Sequence, residues 1–375
     1  MKNLFLLAWF LAFILPLSAQ KIATLEVDMS RETHGMNVPV KVNLDEITFL
    51  PDSILSLVEI QGKQRVPVAF QVDHGINREL YWIIDTQNSS AKKRTFELVR
   101  GNKAEPEKQN IAVVESDGAM IIKASDKNLL QYNFRTVYPP KGVSPYYKRS
   151  AFIHPLWAPH GQVLTRIQPP DHYHHYGIWN PWTHMLYKGD TLDFWNIGGK
   201  DGTVRFANFT SVKSGEVFGE YAALHEHVAY ERGSEEVIIN EVQAVKIYQP
   251  GADYYIADVF IQMNCATADP VTLLEYRYGG FGWRTTEKWD KNNSEVLTSE
   301  GRTRKDADSK PARWCLVQGD IDNDYAGVVM MSWPANYNHP EPMRIWPENQ
   351  YDRGDMFANF SPTRNMNWPL QPGKN

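Results

Sequence analysis

Cysteine is nearly absent: Cys265 and Cys315 are the only two in 375 residues, which excludes a disulfide-dense scaffold and a multi-cysteine zinc site. They lie in separate strand-like runs, Tyr254 to Cys265 and Trp314 to Val317, and in an oxidising compartment they either pair or stay as buried thiols. An excess of positive charge is also missing. A net charge of −5 and a pI near 6.1 give no clustered basic surface, so nucleic acid is not an expected partner. Beyond the first twenty residues no apolar run approaches the roughly 20 residues of a membrane-spanning helix, which argues against an integral membrane protein. Catalytic signatures are absent as well. There is no G-x-S-x-G elbow, no phosphate-binding glycine loop ahead of a helix and no reactive-cysteine motif, which sets aside serine hydrolases, nucleotide enzymes and thiol enzymes. Windows with apolar residues at helical spacing are almost missing, and an all-β fold follows.

The N-terminus reads as an export signal over 1–20, with Lys2 as the charged region, Leu4 to Leu17 as the apolar core and Ser18-Ala19-Gln20 as the cleavage zone. This predicts a periplasmic or extracellular protein. From 21 to 114, period-two runs such as Val38 to Leu44, Leu55 to Ile60, Val66 to Val72 and Phe96 to Val99 predict a small accessory β-sandwich. The polar stretch 100–109 reads as a linker or long surface loop. From 115 to 375, longer alternating runs, including Glu216 to Glu231, Glu236 to Gln249, Tyr254 to Met263 and Val271 to Tyr278, predict a large antiparallel β-sandwich. Its loops and concave face are the places for a ligand.

Six of the eleven histidines fall between His154 and His184, centred on Asp171-His-Tyr-His-His-Tyr-Gly177 between a double proline and Trp179 and Trp182. Imidazole is the side chain that donates, accepts or binds metal near neutral pH. In an extended chain residues i and i+2 share a face, so His172 and His174 are expected together, with Tyr173 and His175 opposite. His225 and His227 repeat the spacing around Glu226. No standard metal-ligand spacing is present, so no cofactor is specified; a divalent metal would use His172 and His174.

Two further motifs carry polar groups. In Glu275-Tyr-Arg-Tyr-Gly-Gly-Phe-Gly-Trp-Arg284, Glu275 and Arg277 are expected on one strand face, as an ion pair or as base and ligand-binding cation, with Arg284 beyond. In Ser332-Trp-Pro-Ala-Asn-Tyr-Asn-His-Pro340, Asn336 and His339 sit in a proline-braced loop, and Arg344 and Trp346 extend it.

The block Arg149 to Arg166, the histidine motif, the Gly279 to Arg284 run and Trp333 to Pro340 together resemble a family of secreted proteins from Bacteroidetes and Planctomycetes labelled PmoA-like (methane oxygenase-like). An oxygenase of that kind needs several membrane spans, which this chain lacks. The resemblance instead implies carbohydrate metabolism. The fold pattern is also similar to the mutarotase-like supersandwich, where a His acid and a Glu base flank a sugar ring. The PmoA-like resemblance further implies another strand beyond 369–375. The resulting expectation is an enzyme acting on a sugar or glycoside by hydrolysis, elimination or epimerisation. His174 or His175 would be the acid and Glu275 the base, with His172 also in the catalytic set and Asp171 free to orient a histidine. His154, Asp171, Arg277, Arg284, Asn336 and His339 would bind ligand, and Trp179 or Trp182 would be a stacking platform. A glycan-binding protein without catalysis and a metal-dependent oxidase or lyase are the alternatives.

Overall fold

The structure, a computed structural model, describes residues 20–29, 35–86, 92–101, 110–231, 233–248 and 250–374. The expected export signal lies outside the described residues up to residue 19, as does most of the expected linker. Among the described residues every regular element is a strand or a short 3-10 turn, and no helix is long and apolar enough to cross a membrane.

The chain divides into two compact units, Met1–Glu107 and Lys108–Asn375. In the first, a four-stranded sheet (Gln20–Asp28, Lys93–Arg100, Leu55–Gln61, Gln64–Val68) and a three-stranded sheet (Asn37–Asn43, Arg78–Asp85, Phe70–His74) are both antiparallel. Leu55, Leu57, Phe96 and Leu98 of one sheet and Phe70, Leu80, Trp82 and Ile84 of the other share a single buried cluster, which makes the unit a sandwich. The run Val66 to Val72 is two strands, one in each sheet, because the chain leaves regular pairing at Ala69 and crosses between them.

In the second unit an eight-stranded antiparallel sheet runs Met343–Ile345, Phe357–Phe360, Gly282–Arg284, Ile178–Trp179, Phe152–Leu156, Lys127–Asn133, Ala119–Ala124, Ile111–Ser116. Ile111–Ser116 pairs with Ala119–Ala124, so the unit starts before the residue 115 expected from sequence. A four-stranded sheet of long strands (Gly202–Lys213, Phe218–Glu231, Ser234–Tyr248, Ala257–Cys265) and a three-stranded sheet (Ser294–Thr298, Trp314–Ile321, Asp324–Met331) share its core through Leu130, Tyr132, Ile153, Tyr221, Val245, Cys315 and Val317. In a fourth sheet Val271–Leu273 pairs with Met185–Tyr187 on one side and Trp368–Leu370 on the other. The expected strand Val271 to Tyr278 stops at Leu273. Beyond it the amides of Leu274 and Tyr276 donate to loop carbonyls of His184 and Thr363, which ends the ladder. Both cysteines are free; Cys315 is buried, which pushes its thiol up to about 12.

The position of the candidate site follows from strand direction. Antiparallel pairing brings the starts of Ile178–Trp179 and Phe357–Phe360 beside the ends of Gly282–Arg284 and Met343–Ile345. The segments at those ends carry His172 to His175, Arg284, Trp346 and Asp355.

Candidate metal centre

Residues 166–168 and 175–177 run antiparallel. Ile167 bridges Tyr176, the Gln168 amide donates to the His175 carbonyl at 2.8 Å, and the Gly177 amide donates to Arg166 at 2.9 Å. Between these arms two successive turns are closed by His172 N–H to Pro169 O at 2.8 Å and His175 N–H to His172 O at 3.0 Å. The double proline favours such turns over a ladder, since proline brings no amide to one. The extended conformation expected for this motif is therefore absent, and with it the alternation that separated His175 from its neighbours. All three imidazoles converge, each offering a nitrogen within 4.8 Å of the others. Ring centroids of His172, His174 and His175 stand 4.6, 4.7 and 5.2 Å apart.

The cluster rests on aromatic rings. His175 is 1% exposed and lies against Phe357 at 5.3 Å, Trp179 at 5.2 Å and Trp346 at 5.6 Å. Burial, reinforced by His174, holds it well below the usual imidazole range, and its Nδ1 finds no hydrogen-bond partner among the described residues. Burial, with His172 nearby, likewise pushes His174 down to about 3. Both are thus kept in the neutral form that binds metal. His172 is held differently: its Nδ1 lies 2.7 Å from Asp171 Oδ2. An ionised carboxylate only accepts, so the ring donates from Nδ1 and leaves the Nε2 lone pair available. This carboxylate-to-histidine arrangement is the usual outer support of a metal-binding imidazole.

Asp171 is itself fixed by Arg284 at 3.0 Å, and Arg284 also holds Asp355 at 2.5 Å while its guanidinium lies 4.6 Å above the Trp346 ring. Burial opposes the charge on Asp171, yet the His172 hydrogen bond and the Arg284 charge outweigh it and hold the carboxyl well below its usual range. The residues fit a metal ion in donor type, in protonation and in the orphaned Nδ1. Zinc-bound donors at 2.0–2.1 Å from the ion stand roughly 3.3 Å apart, so the widest of these spacings must close by about 1.5 Å, within the reach of side-chain rotation.

Of the other expected site residues, Trp179 packs on His175; the rest make no hydrogen bond, ion pair or ring contact with the three imidazoles among the described residues. Glu275 and Arg277 are exposed, and among the described residues they form no ion pair with each other. The Glu275 amide donates to Asn367 Oδ1 at 2.7 Å, and Arg277 lies over Tyr276 and Tyr278. His339 Nδ1 meets Ser332 Oγ at 2.8 Å and Asn336 donates to Glu341 at 3.0 Å, a network that braces its own loop. Among the described residues neither Glu275 nor His339 hydrogen-bonds, ion-pairs or stacks with the histidine turn. Trp179 and Trp182 are 0% and 2% exposed and offer no face to a sugar ring. His154 is pushed down to about 4 by burial, with Nδ1 2.9 Å from Thr165 Oγ1. It lines a cleft of about 500 Å³ together with Thr165, Arg166, Gln168, Glu287 and Lys288, and the same cleft includes Pro169 and Pro170, next to Asp171.

His225 and His227 share the inner face of their strand as expected, but Glu226 points away and pairs with Arg205 at 2.8 Å. Their carboxylate is Glu241, directly across the ladder from His225. It lies 2.9 Å from His225 and 2.8 Å from His227, accepts from Asn180 at 3.0 Å, and is 1% exposed. The signal for it was present, since Glu241 and Gln243 interrupt the apolar alternation of Ile239, Val245 and Ile247. Nothing comparable marked Tyr351 or Asp355 in their polar loop.

No curated protein matches the sequence. Residues 119–375, which include every residue of the histidine centre and its supports, match a family of unknown function, DUF6807, and since the match covers more than half of the chain, the protein belongs to that family.

Proposed function

We propose that this is an exported metal-dependent enzyme acting on a carbohydrate or a sugar-derived small molecule. The observation that carries the reading is the convergence of His172, His174 and His175, two of them kept neutral and the third oriented by Asp171. A divalent ion held there would act as a Lewis acid on a carbonyl or hydroxyl of the ligand. The cleft beside Asp171 supports a small polar ligand, because His154, Thr165, Arg166, Gln168, Glu287 and Lys288 line it with both hydrogen-bond donors and acceptors. Arg166 links cleft and centre through Asp355, 3.4 Å away, which in turn holds Arg284. The resemblance to PmoA-like and mutarotase-like proteins agrees with a sugar as substrate, and the reaction is hydrolysis, elimination or epimerisation. A purely glycan-binding role is less favoured, since the two tryptophans expected as platforms are buried.

Incubating the protein with glycans and 3-keto-glycosides, as purified, after chelation and after metal is restored, tests this. Turnover that is lost on chelation and regained with metal is expected. Turnover indifferent to chelation, or none in metal-loaded protein, would overturn it.

A further inference from the structure

We infer that Tyr351 is an oxygen ligand of the metal centre, an inference that rests on the metal reading of the histidine turn. The phenol oxygen lies 3.1 Å from His172 Nε2. With His172 Nδ1–H given to Asp171, Nε2 carries the lone pair and the phenol proton is the one shared between them. Donors of a tetrahedral ion stand roughly 3.3 Å apart. Tyr351 is therefore already at ligand-to-ligand spacing from Nε2, while the imidazole nitrogens are up to 4.8 Å from one another. Metal takes the place of the shared proton: the oxygen pivots off the lone-pair axis, the O–H bond is replaced by an oxygen-to-metal bond, and the proton leaves to solvent.

The loop is built for this position. Tyr351 and Asp352 have φ of 49° and 56°, a left-handed conformation that is rare for a bulky side chain and persists only where the surroundings impose it. Here Lys291 Nζ donates to the Asp352 carbonyl at 2.9 Å and the Arg353 guanidinium donates to the Glu287 carbonyl. Gly354, at φ +75°, approaches Glu348 O so closely that a Cβ would stand 2.5 Å from it. The Tyr351 ring packs on His172 at 5.0 Å and Trp346 at 5.2 Å. Its 52% exposure puts it on the open side of a cluster whose other sides are closed by Trp179, Trp346 and Phe357.

Full-length protein purified without a histidine tag, stripped by chelation and titrated with Cu(II) tests the assignment, since imidazole and phenolate both suit that ion. One Cu(II) per chain and a phenolate-to-copper charge-transfer band in the visible are expected for the wild type. Tyr351→Phe should keep the stoichiometry, lose the band and bind about 10- to 100-fold more weakly, the range that follows loss of a metal-site partner. Stoichiometric binding without the band, or a band that survives in Tyr351→Phe, overturns Tyr351 ligation and leaves the histidine centre standing. No stoichiometric binding, or binding unchanged by His174→Ala with His175→Ala, overturns the centre and the ligation together. Near-UV circular dichroism checks that the variant is folded; should it fail to fold, phenolate modes in the resonance Raman spectrum of the copper-loaded wild type decide the matter, present in support or absent against.

Discussion

Asp171 does two jobs at once: it accepts the Nδ1 proton of His172 and balances the buried Arg284, so a single carboxylate sets both the tautomer of His172 and the local charge. Replacing it with Asn keeps the shape but removes the charge. Asp171→Asn should weaken metal binding about 10- to 100-fold by isothermal titration calorimetry, and an unchanged affinity would show that His172 is oriented by something else. Glu241 is the second residue on which much depends. Burial opposes its charge, but the hydrogen bonds from His225 and His227 prevail and keep it well below the usual carboxylate range. Glu241→Ala should cost about 3–5 kcal/mol in urea denaturation, the typical loss when one member of a buried polar set is removed; a loss below about 1 kcal/mol would mean that water takes its place. Histidine density in the sequence marked the segment in which the three imidazoles converge. Geometry was not legible there, because which imidazoles meet depends on two turns, and Asp355 and Tyr351 arrive from a loop some 180 residues later.

At the level of elements, the site exists because four short strands end at one edge of the eight-stranded sheet. Gly177 is the residue that lets the histidine loop rejoin it. Its φ is +60°, and a Cβ there would collide with the Ile153 carbonyl oxygen across the strand pair. Gly177→Ala should destabilise by about 1–3 kcal/mol through overpacking alone and should weaken metal binding in the same samples, because the arm that carries His175 is displaced. Lost stability with unaltered metal affinity would show that loop and strand are uncoupled. Long runs such as Phe218–Glu231 and Ser234–Tyr248 were legible because alternation persists over many residues, with Ile239, Glu241, Gln243, Val245 and Ile247 of the second strand on one buried face. Three-residue strands such as Gly282–Arg284 and Met343–Ile345 were not, since they are buried on both faces and too short to show any period. Glu275 was not legible at this scale either: it lies past the end of Val271–Leu273, where backbone pairing no longer sets the direction of its side chain.

For the molecule as a whole, the all-β class followed from alternation and the scarcity of helical periodicity. Tertiary burial of histidines was not readable in that way, and it sets the response to acid. His154, His174, His175 and His227 all have folded-state pKa values lowered by burial, to about 4 for His154 and about 3 for His174. An unfolded imidazole titrates near 6.5. Below that value the unfolded chain binds protons that the folded chain refuses, so stability is complete above about pH 6.5 and falls as pH drops toward the folded values, by up to about 1.4 kcal/mol per pH unit for each ring. Asp171 and Glu241, with lowered carboxyl pKa values, add to the loss only below the ordinary carboxylate range. Urea midpoints should therefore decline steadily from pH 7 to pH 4.5, with the midpoint at pH 8 close to that at pH 7; a flat profile across this range would contradict the buried neutral imidazoles. The central claim, that His172, His174 and His175 form one metal centre, is tested most directly by anomalous diffraction from crystals of the untagged protein grown with Zn(II). The expected result is one dominant anomalous peak within about 2.0–2.1 Å of a ring nitrogen from each of the three histidines; a peak elsewhere with the histidine turn empty, or no bound ion at all, would contradict it.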